Sequence, residues 1–179
     1  MNEARDTWSM STTERPSIDQ TTIRRTLEDG DGPAIGELHR RVYMTEHGFN
    51  DRFCETVDDD IDRAIAAGWP QRTGAVWLAD RGGPLLGALA LTDEGRGLGR
   101  VRWFALDPSL RGHGLGRALF DELLEEARVQ NLTVLCLETV KPLTVAARIY
   151  TSRGFRVVWE RERSDWGPTV VYQGYELAL

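Results

Sequence analysis

The run Arg111-Gly112-His113-Gly114-Leu115-Gly116-Arg117-Ala118-Leu119 constrains the fold more than any other stretch. Ahead of it, Val101 to Leu106 reads as a buried strand that Asp107-Pro108 ends. Behind it, Leu115, Leu119, Leu123 and Ala127 recur at every fourth position, while Arg117, Asp121, Glu122, Glu125 and Glu126 fall on the other face. That is the pattern of an amphipathic helix. A strand therefore feeds a loop with glycines at 112, 114 and 116, and the loop opens onto a helix N-terminus. Glycine permits positive φ and close approach to the backbone. The first helical turn leaves N–H groups unpaired and carries roughly half a positive charge. Together they make a socket for a phosphate or diphosphate, with Arg111 and Arg117 adding charge at its rim.

Three known phosphate loops compete for this segment. A Walker loop ends in Gly-Lys-Ser/Thr, whereas Gly116 precedes Arg117-Ala118. A dinucleotide fingerprint is G-x-G-x-x-G, whereas the spacing here is G-x-G-x-G. The third pattern, Arg/Gln-x-x-Gly-x-Gly/Ala, is met by Arg111, Gly114 and Gly116.

The chain of 179 residues fits one domain, with 41% hydrophobic and 28% charged residues. The reading is a polar tail over residues 1–19, holding the isolated Trp8, followed by a folded domain over residues 20–179. No apolar run suits a membrane span, and no basic-then-apolar leader is visible, so no membrane association and a cytoplasmic setting are expected. Cys54 and Cys136 lack metal-ligand spacing and read as reduced thiols; no metal site is expected. A net charge of −6 argues against nucleic acid as a partner.

Along the chain, Thr21 to Leu27 alternates as a strand. A helix carrying Ile35, Leu38 and Val42 runs to about His47, where Gly48 breaks it, and a second spans about Asp51 to Ala67. Its run Asp58-Asp59-Asp60 is a solvated face or, in a sharper reading, lies near a substrate entrance. Ala75 to Ala79 and Leu85 to Leu91 form a hairpin through Arg81-Gly82-Gly83-Pro84. Gly95-Arg96-Gly97-Leu98-Gly99 is a hairpin turn, since no helix follows it. After the central helix come a strand at Thr133 to Thr139, a helix opened by Pro142, and strands at Phe155 to Trp159 and Val170 to Leu177. The order is β-α-α-β-β-β-α-β-α-β-β.

A second motif, Ala147-Arg148-Ile149-Tyr150-Thr151-Ser152-Arg153-Gly154-Phe155, follows the glycine loop with one strand between. In these two motifs and in element order the chain resembles the GNAT (Gcn5-related) N-acetyltransferases. A closer similarity, to the acetyltransferase half of proteins that fuse a MarR-type regulator to a GNAT domain, is carried by Val101 to Pro108, Thr139-Val140, Leu143-Thr144 and Asp165-Trp166-Gly167. No winged helix-turn-helix is read here, so DNA binding is not carried over. The resemblance implies an α/β (α+β) GNAT fold, a mixed, mostly antiparallel sheet of six to seven strands flanked by four helices. It leaves open whether residues 155–179 close a monomer or pair in a homodimer.

It further implies direct acetyl transfer from acetyl-CoA to a primary amine of a small-molecule or amino-acid-like substrate. Backbone groups of Phe104, Ala105 and Leu106 would hold the pantetheine arm and face the thioester oxygen. Residues Arg111, Gly112, His113, Gly114, Leu115, Gly116 and Arg117 would hold the pyrophosphate, with Thr144 and Arg153 also on the donor side. Thr144 stands where many relatives carry Asn, and a hydroxyl replaces one amide hydrogen bond but not both. Tyr150 would protonate the leaving thiolate. For the base that deprotonates the amine, Glu46 and Glu138 are the candidates, with His47 behind them and His39 and His113 as bystanders. Two further readings stay open: a catalytically silent acyl-CoA-binding module, and an acyltransferase for longer thioesters or another nucleophile.

Overall fold

A computed structural model describes residues 20–179; the expected tail with Trp8 lies outside the described residues. The elements are β1 (Thr22–Arg24), α1 (Asp31–His39), α2 (Thr45–His47), α3 (Asp51–Ala66), β2 (Ala75–Asp80), β3 (Gly87–Gly95), β4 (Leu98–Leu106), α4 (Leu115–Val129), β5 (Val134–Val140), α5 (Thr144–Thr151), β6 (Arg156–Arg163) and β7 (Val170–Ala178). A π-helical turn, Arg40–Met44, joins α1 to α2, so the two make one helix that Gly48 ends in left-handed conformation. Counted so, the described residues hold four helices and a seven-stranded mixed sheet, the architecture that the resemblance implies. Two local differences appear: β1 is shorter than the alternating stretch, and α5 begins two residues after Pro142.

The strands lie in the order β1-β2-β3-β4-β5-β7-β6. All neighbours are antiparallel except β4 and β5. That parallel contact is brief, joining Leu98–Arg100 to Val134–Cys136. Beyond it β4 stays with β3 as far as Leu106, and β5 stays with β7 as far as Val140, so the sheet splits into two halves.

A β-bulge accompanies the split. Ala88 pairs with Ala105 and Ala90 with Arg102, so Trp103 and Phe104 together face Leu89. Trp103 takes φ +48°, an unusual conformation for a bulky residue, and packs edge-on against Trp69 at 4.9 Å. Such an insertion bends a strand and sharpens its twist. It also resets the alternation: Val101 and Phe104 pack toward the α4 side, while Trp103 and Ala105 pack toward the α1 and α3 side.

Both faces of the sheet are covered. Ile35, Leu38, Phe53 and Ile61 pack on Val76, Leu78, Ala88 and Ala90 from one side. Leu119, Phe120 and Leu123 pack on Trp77, Leu89, Leu91 and Leu135 from the other. This double burial is why Ala75 to Ala79 of β2 and the first part of β3 are apolar and do not alternate.

Candidate active site

The glycine loop lies where β4 ends and α4 begins. Gly114 is the N-cap of α4 at φ +84°, without a side-chain cap, and its carbonyl accepts from the amides of Arg117 and Ala118. The amides before Arg117 therefore have no intrahelical acceptor. Gly112 also has φ +84°, and among the described residues a Cβ at either Gly112 or Gly114 would meet no atom within 4 Å. Gly116 differs: it is buried in the first turn, and a Cβ there would stand 3.2 Å from Leu106 and 3.4 Å from Phe104. It lets the helix approach β4. His113 and Arg117 are exposed and Leu115 is half-buried.

Two arginines at this end are engaged by the protein. Arg111 grips the carboxylate of Glu46 with both Nη atoms, at 2.6 and 2.8 Å, and donates from Nε to the Leu106 carbonyl at 2.7 Å. Arg153 grips Asp121 at 2.6 and 2.7 Å and donates to the Arg117 carbonyl at 3.3 Å, tying α5 to α4. These hydrogen bonds hold the Asp121 carboxyl below its ordinary range. Thr144 is exposed at the start of α5.

The split in the sheet opens a cleft of about 610 Å³. Because Ala105 is registered with Ala88, the backbone groups of Phe104 and Leu106 turn to the other edge, which β5 has left. Their carbonyls take side-chain donors instead, Tyr43 Oη at 3.4 Å on Phe104 and Arg111 on Leu106. Tyr150 lines the same cleft, its ring held among Phe120 at 5.3 Å, Phe155 at 6.2 Å and Tyr175 at 5.8 Å. Burial, aided by Tyr43 and Tyr175, pushes its phenol well above the ordinary tyrosine range. The phenol is therefore held in its protonated form.

Of the two carboxylates read as bases, Glu138 lines the cleft, where it accepts from Arg100 at 3.1 Å. Glu46 lies with Arg111 at the glycine loop. Asp60, within the acidic run of α3, turns to the cleft and meets Arg102 at 3.3 Å, whereas Asp58 pairs with Arg40 at 3.4 Å.

Sequence reasoning set aside His39 and did not single out Tyr43. His39 is buried on the cleft wall, stacked on Tyr43 at 5.6 Å. Its Nδ1 lies 2.8 Å from the Ile35 carbonyl, an acceptor, so Nδ1 carries the hydrogen and Nε2 keeps its lone pair. Burial lowers its pKa to about 4, against the opposing pull of that hydrogen bond. Burial likewise pushes Tyr43 up to about 12. Both sit on the polar-looking flank of a helix, and only the π turn and the split sheet give them a cleft to face. Among the described residues no group of three or more His, Cys, Asp or Glu side chains could hold a metal ion, and no helix is long and apolar enough to cross a membrane.

The pattern of the acetyltransferase (GNAT) family matches residues 39–155, and the chain belongs to that family. Among curated proteins it is similar to an IAA acetyltransferase of Azospirillum brasilense, 33% identical over 51% of this chain and 57% of that protein. It is also similar to an amino-acid acetyltransferase of Mycobacterium tuberculosis, 41% identical over 35% of this chain and 40% of that one. The chain thus spans about half the length of these curated relatives. Among solved structures, YncA of Salmonella typhimurium with its cofactor acetyl-CoA superposes with a TM-score of 0.65 and 22% identity, covering 89% of this chain and 94% of that one.

Proposed function

We propose that this chain transfers an acetyl group directly from acetyl-CoA to a primary amine of a small-molecule or amino-acid-like acceptor. One juxtaposition carries the reading: at Gly116 the uncapped start of α4 packs against Phe104 and Leu106 on the open edge of β4 and against Ile149, the neighbour of Tyr150, which lines the cleft. The diphosphate would sit on the amides around Gly112 to Gly116. The pantetheine arm would run along the edge left free at Phe104 and Leu106. The amine lone pair attacks the thioester carbon, and a backbone N–H of that edge steadies the negative oxygen. The C–S bond then breaks as Tyr150 gives its proton to the departing sulfur. The ammonium proton of the acceptor leaves first, toward Glu138 or water held by it.

YncA, solved with acetyl-CoA, and the two curated acetyltransferases support this choice of donor and reaction. We also take the kinship with the acetyltransferase half of MarR–GNAT fusions from the segments around Val101 to Pro108 and Asp165 to Gly167. Cys54 and Cys136 are free thiols, in keeping with a reducing, cytoplasmic setting. Among the described residues strand β6 pairs only with β7, and its other edge supports pairing between two protomers, which sedimentation would detect.

The test is release of free CoA thiol from acetyl-CoA with a panel of amines. Amine-dependent release is expected. Tight acetyl-CoA binding without release for any amine would overturn the enzymatic reading in favour of a binding module.

A further inference from the structure

Resting on the acetyltransferase reading, we infer that the acceptor is an aromatic amino acid, recognised by its ring and its carboxylate. Three features of the cleft carry this. The first is a continuous aromatic wall. Tyr43 and Phe53 stand 5.0 Å apart, Phe53 and Trp166 4.9 Å, and Trp166 and Tyr172 4.9 Å, all lining the cleft. Such surfaces receive a flat apolar body edge-on or stacked.

The second feature is charge. Four arginines line the cleft, at 52, 100, 102 and 163. Arg100 is met by Glu138 and Glu94, Arg102 by Asp60 and Glu94, and Arg163 by Asp165. Arg52, at the start of α3 beside Phe53, has no carboxylate within ion-pair reach among the described residues. Arg52 is therefore the guanidinium of the four left open to a ligand, which favours an anionic group at that point of the cleft.

The third feature is Tyr172. It is 2% exposed and lines the cleft, yet its Oη has no hydrogen-bond partner among the described residues. A buried hydroxyl left unpaired is costly, and a ligand oxygen would satisfy it. Ring, guanidinium and hydroxyl all line one cleft, and an amine carrying both a carboxylate and an aromatic side chain matches all three.

The test measures thiol release from acetyl-CoA with phenylalanine, tryptophan, phenethylamine, tryptamine, phenylalaninamide and spermidine. Phenylalanine and tryptophan are expected to exceed their decarboxylated counterparts and the amide by about tenfold or more in kcat/KM, the scale of a hydrogen bond to a charged group. Spermidine is expected to be inert. Arg52→Ala should raise the KM for phenylalanine by about tenfold without moving that for phenethylamine, and Arg52→Lys should restore part of it. Tyr172→Phe should act in the same direction. Equal or better turnover of phenethylamine, or a preference that survives Arg52→Ala, would overturn the inference and leave acetyl transfer standing. No release with any amine would overturn both.

Discussion

Arg111 and Glu46 lie sixty-five positions apart in sequence and are joined fork to fork, at 2.6 and 2.8 Å. The pair fastens the loop before α4 to the last turn of the helix that walls the cleft. Arg111 completes the tie by holding the Leu106 carbonyl at the end of β4. Glycine loop, central strand and the helix ending at Gly48 thus meet at a single guanidinium.

A carboxylate with both oxygens on a guanidinium is a poor general base, and this sets the expectation for Glu46→Gln. Both partners are about a third exposed, so the pair contributes under about 1 kcal/mol to stability. The variant should remain folded and bind acetyl-CoA a few times more weakly in calorimetry, because the loop loses its tether. Its kcat should stay within about tenfold of the parent, below the effect of removing a proton-transfer group. A larger loss of kcat at unchanged donor affinity would make Glu46 the base after all.

Gly114 and Gly116 should fail in different ways. Gly114→Val puts a branched side chain at φ +84° on the face where the diphosphate would lie, so acetyl-CoA affinity should fall by tenfold or more. Gly116→Val meets Leu106, Phe104 and Ile149, within 3.2 to 3.6 Å of its Cβ alone. Overpacking of this kind costs about 1–3 kcal/mol, and urea unfolding should show it. Donor calorimetry and unfolding on both variants separate a ligand-facing glycine from a packing one.

For Tyr150→Phe the ring packing against Phe120, Phe155 and Tyr175 is kept and only the hydroxyl is lost. Acetyl-CoA should bind as before while kcat falls by about a hundredfold, the lower end for a lost proton donor. Since the phenol is held above its ordinary range, the parent enzyme should show no alkaline loss of activity traceable to this group below about pH 10. Unchanged turnover in the variant would remove the role.

The glycine loop and the Tyr150 helix were legible because each is local: turn chemistry and helical period are written in consecutive residues. The hairpin through Arg96 and Gly97, both at positive φ, was legible for the same reason. The walls of the cleft were not. Phe53, Trp166 and Tyr172 come from separate elements, and their meeting depends on how far β4 and β5 diverge. The bulge at Trp103 leaves no mark in the residues around it, since tryptophan ordinarily avoids that conformation. Nor does an acidic run reveal that Asp60 alone faces Arg102, or a glutamate that its partner is Arg111.

His39 gives the fold a dependence on pH that its exposed charges would not. In the unfolded chain its imidazole titrates near 6.5, and in the folded protein burial lowers that to about 4. Between those values the unfolded state binds the proton and the folded state does not. Stability should therefore be flat above pH 6.5, fall as pH drops through the window, and level off for this group below about 4. The whole difference is on the order of 3 kcal/mol. The carboxylates of Asp31, Asp107 and Asp121 are also held low in the folded state, so their contributions are lost only at more acid pH, as their own ionisation is suppressed. His39→Asn keeps a donor near Nδ1 for the Ile35 carbonyl and removes the titration. Urea unfolding at pH 7.5, 6, 5 and 4.5 should show a steep loss in the parent and a shallow one in the variant. Parallel curves would mean that the imidazole accepts a proton without leaving its stack on Tyr43, and that the cleft wall is wetter than its packing implies.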